Sequence, residues 1–500
     1  MRARASIAAG ASLLLCAGIA QGAQSASQNY AAYCADCHGA RLDGAQAPAL
    51  LDSRWLQHDG DTQLRSAIRD GVPSKGMPPW AGILSAADID ALVLFIRTQN
   101  VDRAPGSADA KGSAKSFETY HHKVRVEAIL ESGLDQPKSL ALVDAETLLV
   151  ADSGGLGVIR RGALVREPVA GLPVFDTLEE VALHRAGQGE SAREWLYITY
   201  VCSKACGHPD RHAYTLARGR LRDERWTDHQ KLLDFGDGDH VYGVSKLAFD
   251  DAGYVFFTLS GADHPGQDPA DLDRELVKAQ NLGSHRGKTF RVHDDGRVPA
   301  DNPFVNRDGA LPIIWSYGHR GLSGLAFDST SRTLWATEHG PWGGDELNRI
   351  VRGGNFGWPV VSFGYHYAGK PIGAAQAKGF EPPIFHWTPS VGVSTVQVYD
   401  GAAFPQWRGS LLVGSMGARI GRTLYRFELA EGRALAYRYP SDAQGRVLRD
   451  EKGVALPRVP RYEEIAPDIG RIRDTRVGKD GYIYLLLEHP DRIVRLVPHS

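Results

Sequence analysis

Residues 34–38 read Cys-Ala-Asp-Cys-His. Two thiols at that spacing share one turn, so each can bond a vinyl group of one haem, and the histidine after them faces the iron. The C-x-x-C core alone also suits half a zinc site or a redox disulfide. The histidine argues against both, and no second cysteine pair lies near enough to complete a zinc site. The expectation is covalent haem c on Cys34 and Cys37, with His38 as one axial ligand. The other ligand should come from a downstream loop, and Gly76-Met77-Pro78-Pro79 offers one. Met77 is one of three methionines in the chain, and the prolines stiffen its loop. A thioether is a neutral, soft ligand that raises the potential of haem iron.

A second group of candidates lies between residues 317 and 359, in YGHRGLSGLAFDSTSRTLWATEHGPWGGDELNRIVRGGNFGWP. Two strands, LAFD and LWATE, flank the turn STSR, and a polar, glycine-rich loop follows the second strand. Glycines such as Gly340 let the backbone bring carbonyls close to a ligand. Asp345 and Glu346 add hard carboxylate oxygens, and carbonyls with carboxylates on a turn suit calcium. On these residues alone a solvated, inert hairpin loop fits as well. Arg471 and Arg473, in GRIRD, alternate onto one face of a strand. On alternation alone such a pair reads as an exposed basic edge. Cys202 and Cys206 (CSKAC) suit a local disulfide. A zinc pair with His208 or His212 stays open.

These residues need elements to hold them. Residues 1–23 carry two arginines, an apolar run too short to span a bilayer, and small residues, the pattern of a secretory signal. Cys16 follows Leu15 where lipid attachment needs a small residue, so a lipoprotein is not expected. Residues 24–101 hold the haem motif. Helices are expected just before that motif and from the Ser85 cap to Thr98, with Ile89, Leu92, Val93 and Ile96 on one face. Residues 102–118 are polar and rich in Pro, Gly, Ala and Ser, as in a linker. Over 119–500 the sequence repeats, with six apolar hairpin units beginning near Leu140, Val181, Leu247, Leu325, Val396 and Thr475. Such units must close on one another or be capped, which points to a propeller rather than a β-sandwich. A strand at 124–130 could complete the last unit and close the ring. The 500 residues exceed one ordinary core. A net charge of −2 gives no electrostatic case for nucleic acid, and no later stretch is apolar enough for a membrane anchor in the mature chain.

The pieces GHR at 318–320, GLAF at 324–327, HGP at 339–341, DELN at 345–348 and GGNFGWP at 353–359 resemble, in order and spacing, the signature of soluble quinoprotein sugar dehydrogenases. That family binds pyrroloquinoline quinone (PQQ) and calcium on a six-bladed β-propeller. Residues 27–100, with APAL at 47–50 and GMPPW at 76–80, resemble a small class I cytochrome c. The fold expected is therefore a small all-α cytochrome c domain followed by an all-β six-bladed β-propeller. The resemblance implies His240 as general base and Arg320 as the arginine that contacts quinone and substrate. It implies that Arg471 and Arg473 hold PQQ carboxylates, and that Trp387 and Ser390 lie at the cofactor mouth, where an aromatic ring can stack on a flat ligand. It makes the carbonyls of Gly340 and Pro341 ligands of the calcium beside PQQ, and Asp345 and Glu346 ligands of a second, structural calcium. This sequence departs from the family at several points. Phe175 stands where a glutamine is usual, and Gly321 and Ser323 replace an Asn and a Gln. His240 lies two residues further from its strand, its aspartate partner is matched only nearby by Asp263, and the quinone-contacting lysine has no counterpart beyond Arg419 or Arg422.

The function implied is a periplasmic PQQ- and calcium-dependent dehydrogenase of an aldose or a related alcohol or aldehyde. Electrons would leave through its own haem to a downstream redox carrier: a cytochrome, copper protein or oxidase. Two alternatives use the same residues. One is a calcium-dependent propeller hydrolase or lactonase, which gives no reason for a haem. The other is a non-catalytic binding propeller with a haem domain.

Overall fold

A computed structural model describes residues 26–39, 42, 47, 50, 60–72, 76–103, 116–165, 169–186, 193–202, 213–235, 245–261, 278–365, 372–388, 390–417, 422–431, 434–438 and 459–499. Among the described residues four helices come first: α1 (Ala26–Tyr33), α2 (Ala35–His38), α3 (Gly60–Asp70) and α4 (Ala86–Arg103). The start of α4 is a capping box. The Asp88 N–H donates to Ser85 Oγ at 3.2 Å, and the Ser85 N–H donates to Asp88 Oδ2 at 3.1 Å. Reciprocal capping satisfies donors that have no partner inside the helix. Ile89, Leu92, Val93 and Ile96 are buried against Tyr30, Leu64, Ile68 and Leu84, as their spacing predicts.

From Ser116 onward the chain is β-structure in six blades around one axis. The innermost strands are Ser139–Leu142, Thr177–Ala186, Leu247–Phe249, Gly321–Asp328, Val393–Val398 and Arg471–Val477, one for each of blades 1 to 6. Blades 1 to 5 are four-stranded and antiparallel. Second strands such as Tyr254–Leu259 (YVFFTL) and Ile483–Glu488 (IYLLLE) are apolar on both faces, because each blade packs against two neighbours. One apolar cluster fills each of the six junctions between blades. Blade 6 is completed from the other end of the chain. Lys123–Leu130 pairs antiparallel with the C-terminal strand Arg492–Pro498, as Val124↔Pro498 through Leu130↔Ile493. The closing strand expected at 124–130 is thus present, and closure leaves no inter-blade face uncovered.

A charged network ties the inner strands together. Glu180 of blade 2 is fully buried and meets Lys246 Nζ at 2.7 Å and Arg476 at 2.6 Å. Arg476 also meets Asp474 at 3.0 Å, and Asp474 accepts from the Leu140 N–H of blade 1 at 2.8 Å. Burial pushes the Glu180 carboxyl up, against the opposing charges of Lys246 and Arg476. No described helix is long and apolar enough to cross a membrane. Cys202 is disulfide-bonded; Cys206, its expected partner, lies outside the described residues.

Candidate active site

The site is assembled from turns at one end of the propeller. Arg320 stands just before the inner strand of blade 4, and 339–344 joins that blade's second and third strands. Residues 390–392 lead into blade 5, and Arg471 and Arg473 begin blade 6.

Arg320 is held from every side. Its N–H donates to Glu338 Oε2 at 2.8 Å, and its carbonyl accepts from the Gly261 N–H at 2.7 Å. Its guanidinium lies over the Trp358 ring at 5.2 Å and donates to the His339 and Gly340 carbonyls, each at 3.0 Å. Its Nε is buried and has no partner among the described residues. Glu338 is itself oriented by His319 Nδ1 at 3.1 Å and Asn348 Nδ2 at 2.6 Å. His319 continues to Ser316 Oγ at 2.8 Å. Serine, histidine and glutamate stand in the order of a nucleophile, base and acid, but Ser316 and His319 are both 0% exposed. No substrate reaches them; the chain of bonds positions Arg320. Burial pushes the His339 pKa down, with Arg320 and Arg473 adding to the effect against Asp345. Its Nε2 bonds the Val393 carbonyl at 2.5 Å.

The acidic pair differs from its sequence expectation. Asp345 Oδ1 accepts from the Gly340 N–H at 3.0 Å. Its Oδ2 accepts from the N–H groups of Val391, Gly392 and Val393 at 3.0, 2.6 and 3.2 Å. Four backbone donors occupy this carboxylate, so it ties the 339–341 turn to the loop entering blade 5. Glu346, next along the strand, points to the other face. It bonds Asn348 Nδ2 at 3.1 Å and borders a separate cavity of about 340 Å³ lined by Phe356, Phe363 and Phe380. Burial, with Glu338 nearby, pushes its carboxyl well above the usual range. Asp345 and Glu346 therefore do not converge on one cation.

Trp387 also departs from expectation. It is 7% exposed and lies in the core between blades 4 and 5. Phe385 packs edge-on at 4.8 Å, with Tyr425 and Phe427 each at 5.7 Å. An indole sealed among three rings offers no free face for a ligand. Ser390 Oγ is buried and has no partner among the described residues. Of the arginine pair, both reach Met416, consistent with one shared face. Arg471 is engaged by Glu488 at 3.1 Å and by the Met416 carbonyl. Arg473 meets only the Met416 sulfur, at 3.6 Å, among the described residues. Arg422 bonds the Gly417 carbonyl at 3.3 Å. His240, Asp263 and Arg419 lie outside the described residues. Sequence reasoning assigned no role to Trp358, Glu338 and Met416; only the GWP of the glycine-rich stretch pointed to the first.

At the other end of the chain, Cys34 stands between α1 and α2, and Cys37 lies within α2. The His38 N–H donates to the Cys34 carbonyl at 2.9 Å. Burial pushes the Cys34 thiol up to about 11, and Cys37 adds to it. Met77 is fixed by a two-way backbone bridge with Val72. Cys34 and Met77 border the same apolar cluster, with Tyr33 and Trp80 5.3 Å apart beside them. A flat apolar macrocycle with two thioether links and a sulfur ligand fits this donor set.

Residues 134–495 match the model of the glucose/sorbosone dehydrogenase family. The chain belongs to that family. Residues 21–96 match the cytochrome family described as cbb3-type cytochrome c oxidase subunit III, so a cytochrome c domain precedes the dehydrogenase. The dehydrogenase is 32% identical over 402 residues to aldose sugar dehydrogenase YliI of Escherichia coli, covering 74% of this chain and 92% of the relative. Quinoprotein glucose dehydrogenase B of Acinetobacter calcoaceticus is 33% identical over 157 residues, 30% of this chain and 31% of that one. A crystal structure of a glucose dehydrogenase superposes with a TM-score of 0.60 at 32% identity, covering 75% of this chain and 99% of that one.

Proposed function

We propose that this sugar dehydrogenase works in the periplasm on an aldose or a related alcohol or aldehyde, depends on PQQ and calcium, and passes electrons through its own haem c. The observation that supports this most is the set of donors left over at one mouth. Among the described residues, Arg320 Nε and Ser390 Oγ are buried without partners, and Arg473 meets only a thioether. Unsatisfied buried donors are costly, so such a cluster suits an anionic ligand rich in oxygen acceptors. PQQ, with three carboxylates and a quinone, is such a ligand, and one relative is named a quinoprotein. The His339 and Gly340 carbonyls already accept from one cation, Arg320; Gly340, with the adjoining Pro341 carbonyl, would meet calcium on the same turn.

PQQ bound there would supply a two-electron acceptor for the sugar's hydride, and calcium a Lewis acid beside it. The chain's residues do the rest. His240 takes the proton from the sugar hydroxyl, since an imidazole titrates near neutral pH. Arg320 keeps its charge toward the reacting oxygens, because Glu338 fixes its backbone and Trp358 supports its guanidinium. Cys34 and Cys37 would hold the haem and His38 and Met77 would ligate its iron, which would supply one-electron transfer to a downstream carrier. Residues 1–23, the expected export signal, lie outside the described residues.

The test uses the purified full chain. Adding PQQ, calcium and an aldose together should bleach the ferric haem spectrum toward the ferrous one. Chelating calcium should stop this and calcium should restore it. His240→Ala should keep the haem spectrum and quinone binding but lose haem reduction by sugar. Full activity in protein verified free of calcium or PQQ would sink the proposal.

A further inference from the structure

We propose that the last helix of the cytochrome domain docks on the propeller rim between blades 4 and 5, with Leu94 as its apolar anchor. The role this gives the contact rests on the dehydrogenase reading above; the contact itself does not.

Leu94 lies on the wrong side of α4 for the haem core. At 100° per residue it stands about 140° round the helix from Ile89, away from the face that Ile89, Leu92, Val93 and Ile96 bury. It is absent from that core, yet only 1% exposed. An outward leucine so covered needs a partner, and the propeller supplies it. A side-chain carbon placed on Gly343 would lie 3.8 Å from Leu94 Cδ1 and 3.3 Å from Thr388 Cγ2. Gly343 has φ +83° and no side chain, which leaves room for the leucine. One turn along α4, Arg97 lies close enough to Tyr462 of blade 5 for its charge to oppose the burial that pushes the phenol up to about 12. The chain re-enters the propeller at the same edge: the Tyr120 N–H donates to Glu463 Oε2 at 2.8 Å. Both α4 and the returning chain thus meet the same outer strand of blade 5, at Tyr462 and Glu463.

The seat adjoins the candidate site. Gly343 follows Gly340 by three residues, and Thr388 accepts from the Gly344 N–H at 3.2 Å. A helix resting there holds the haem domain beside the mouth continuously, without a search by a loose tether. Transfer from the mouth then depends on an apolar contact rather than on charge steering.

The decisive variant is Leu94→Arg in the full chain, with Leu94→Ala as a milder partner. Both point away from the haem core, and an unchanged haem spectrum verifies that the domain is folded. X-ray scattering of Leu94→Arg should show a larger radius of gyration than the wild type. With PQQ, calcium and glucose, haem reduction should slow at least tenfold, while glucose oxidation coupled to a small dye acceptor stays unchanged. An unchanged radius of gyration overturns the docking. An unchanged haem-reduction rate in an expanded molecule overturns its role in transfer. If the wild type oxidises no sugar even with the dye, the dehydrogenase reading fails, and scattering still decides the docking.

Discussion

At the scale of single residues, Asp345 shows how far a carboxylate's neighbours decide its work. Beside Glu346 in a glycine-rich turn it reads as a metal ligand. Both of its oxygens are spent on backbone N–H groups, one from the turn and three from the loop entering blade 5. Backbone donors carry no signature in a sequence, so this role was not legible there. Asp345→Asn tests it with almost no change of shape. The new NH₂ must face either Gly340 or the trio at 391–393, and a buried N–H left without an acceptor costs about 1–3 kcal/mol. Quinone affinity, read by titration, should fall about tenfold, since the same loop carries Ser390. The amount of calcium bound, read by equilibrium dialysis, should stay the same. Loss of one bound calcium with quinone affinity intact would restore the metal-ligand role.

At the scale of elements, the periodic patterns were legible and the contacts they enable were not. The six repeats, the closing strand at 124–130 and the Ser85 cap all stand where apolar spacing and capping chemistry place them. Trp387 did not, because an aromatic residue beside a loop serves a core or a mouth equally well, and only packing against Phe385 and Phe427 decides. Leu94 escaped notice for a related reason: in an apolar helix, the residue facing outward looks like those facing in. The charged network on the inner strands was invisible too, since Glu180, Lys246, Asp474 and Arg476 come from distant segments. Its contribution is measurable. Lys246→Met removes one cation from a fully buried carboxylate, and breaking such a pair from one side costs about 3–5 kcal/mol. Calorimetry should show the propeller's melting transition several degrees lower, with the haem domain's spectrum unaffected. An unmoved transition would mean that Arg476 alone neutralises Glu180.

At the scale of the whole molecule, the proposed electron route would give the fusion a kinetic role. A quinol gives two electrons and a haem takes one at a time, so a free cytochrome would have to meet the enzyme repeatedly. On that route, tethering would replace the encounter with an effective concentration of roughly the millimolar range. The proposed docking through Leu94 and Gly343 would go further, because it would fix the geometry as well as the distance. Two consequences follow for stopped-flow measurements of haem reduction after mixing loaded protein with sugar. The rate constant should not change when protein concentration rises tenfold, since donor and acceptor share one chain. It should also hold nearly constant when ionic strength rises from about 0.01 M to 0.15 M. Over that interval the screening length falls from about 30 Å to 8 Å, which would slow any partner steered by charge. A rate that climbs with protein concentration would show that the haem belongs to another molecule's circuit. A rate that falls steeply with salt at fixed concentration would show that charge, and not the apolar seat on the blade 4 rim, brings the haem to the mouth.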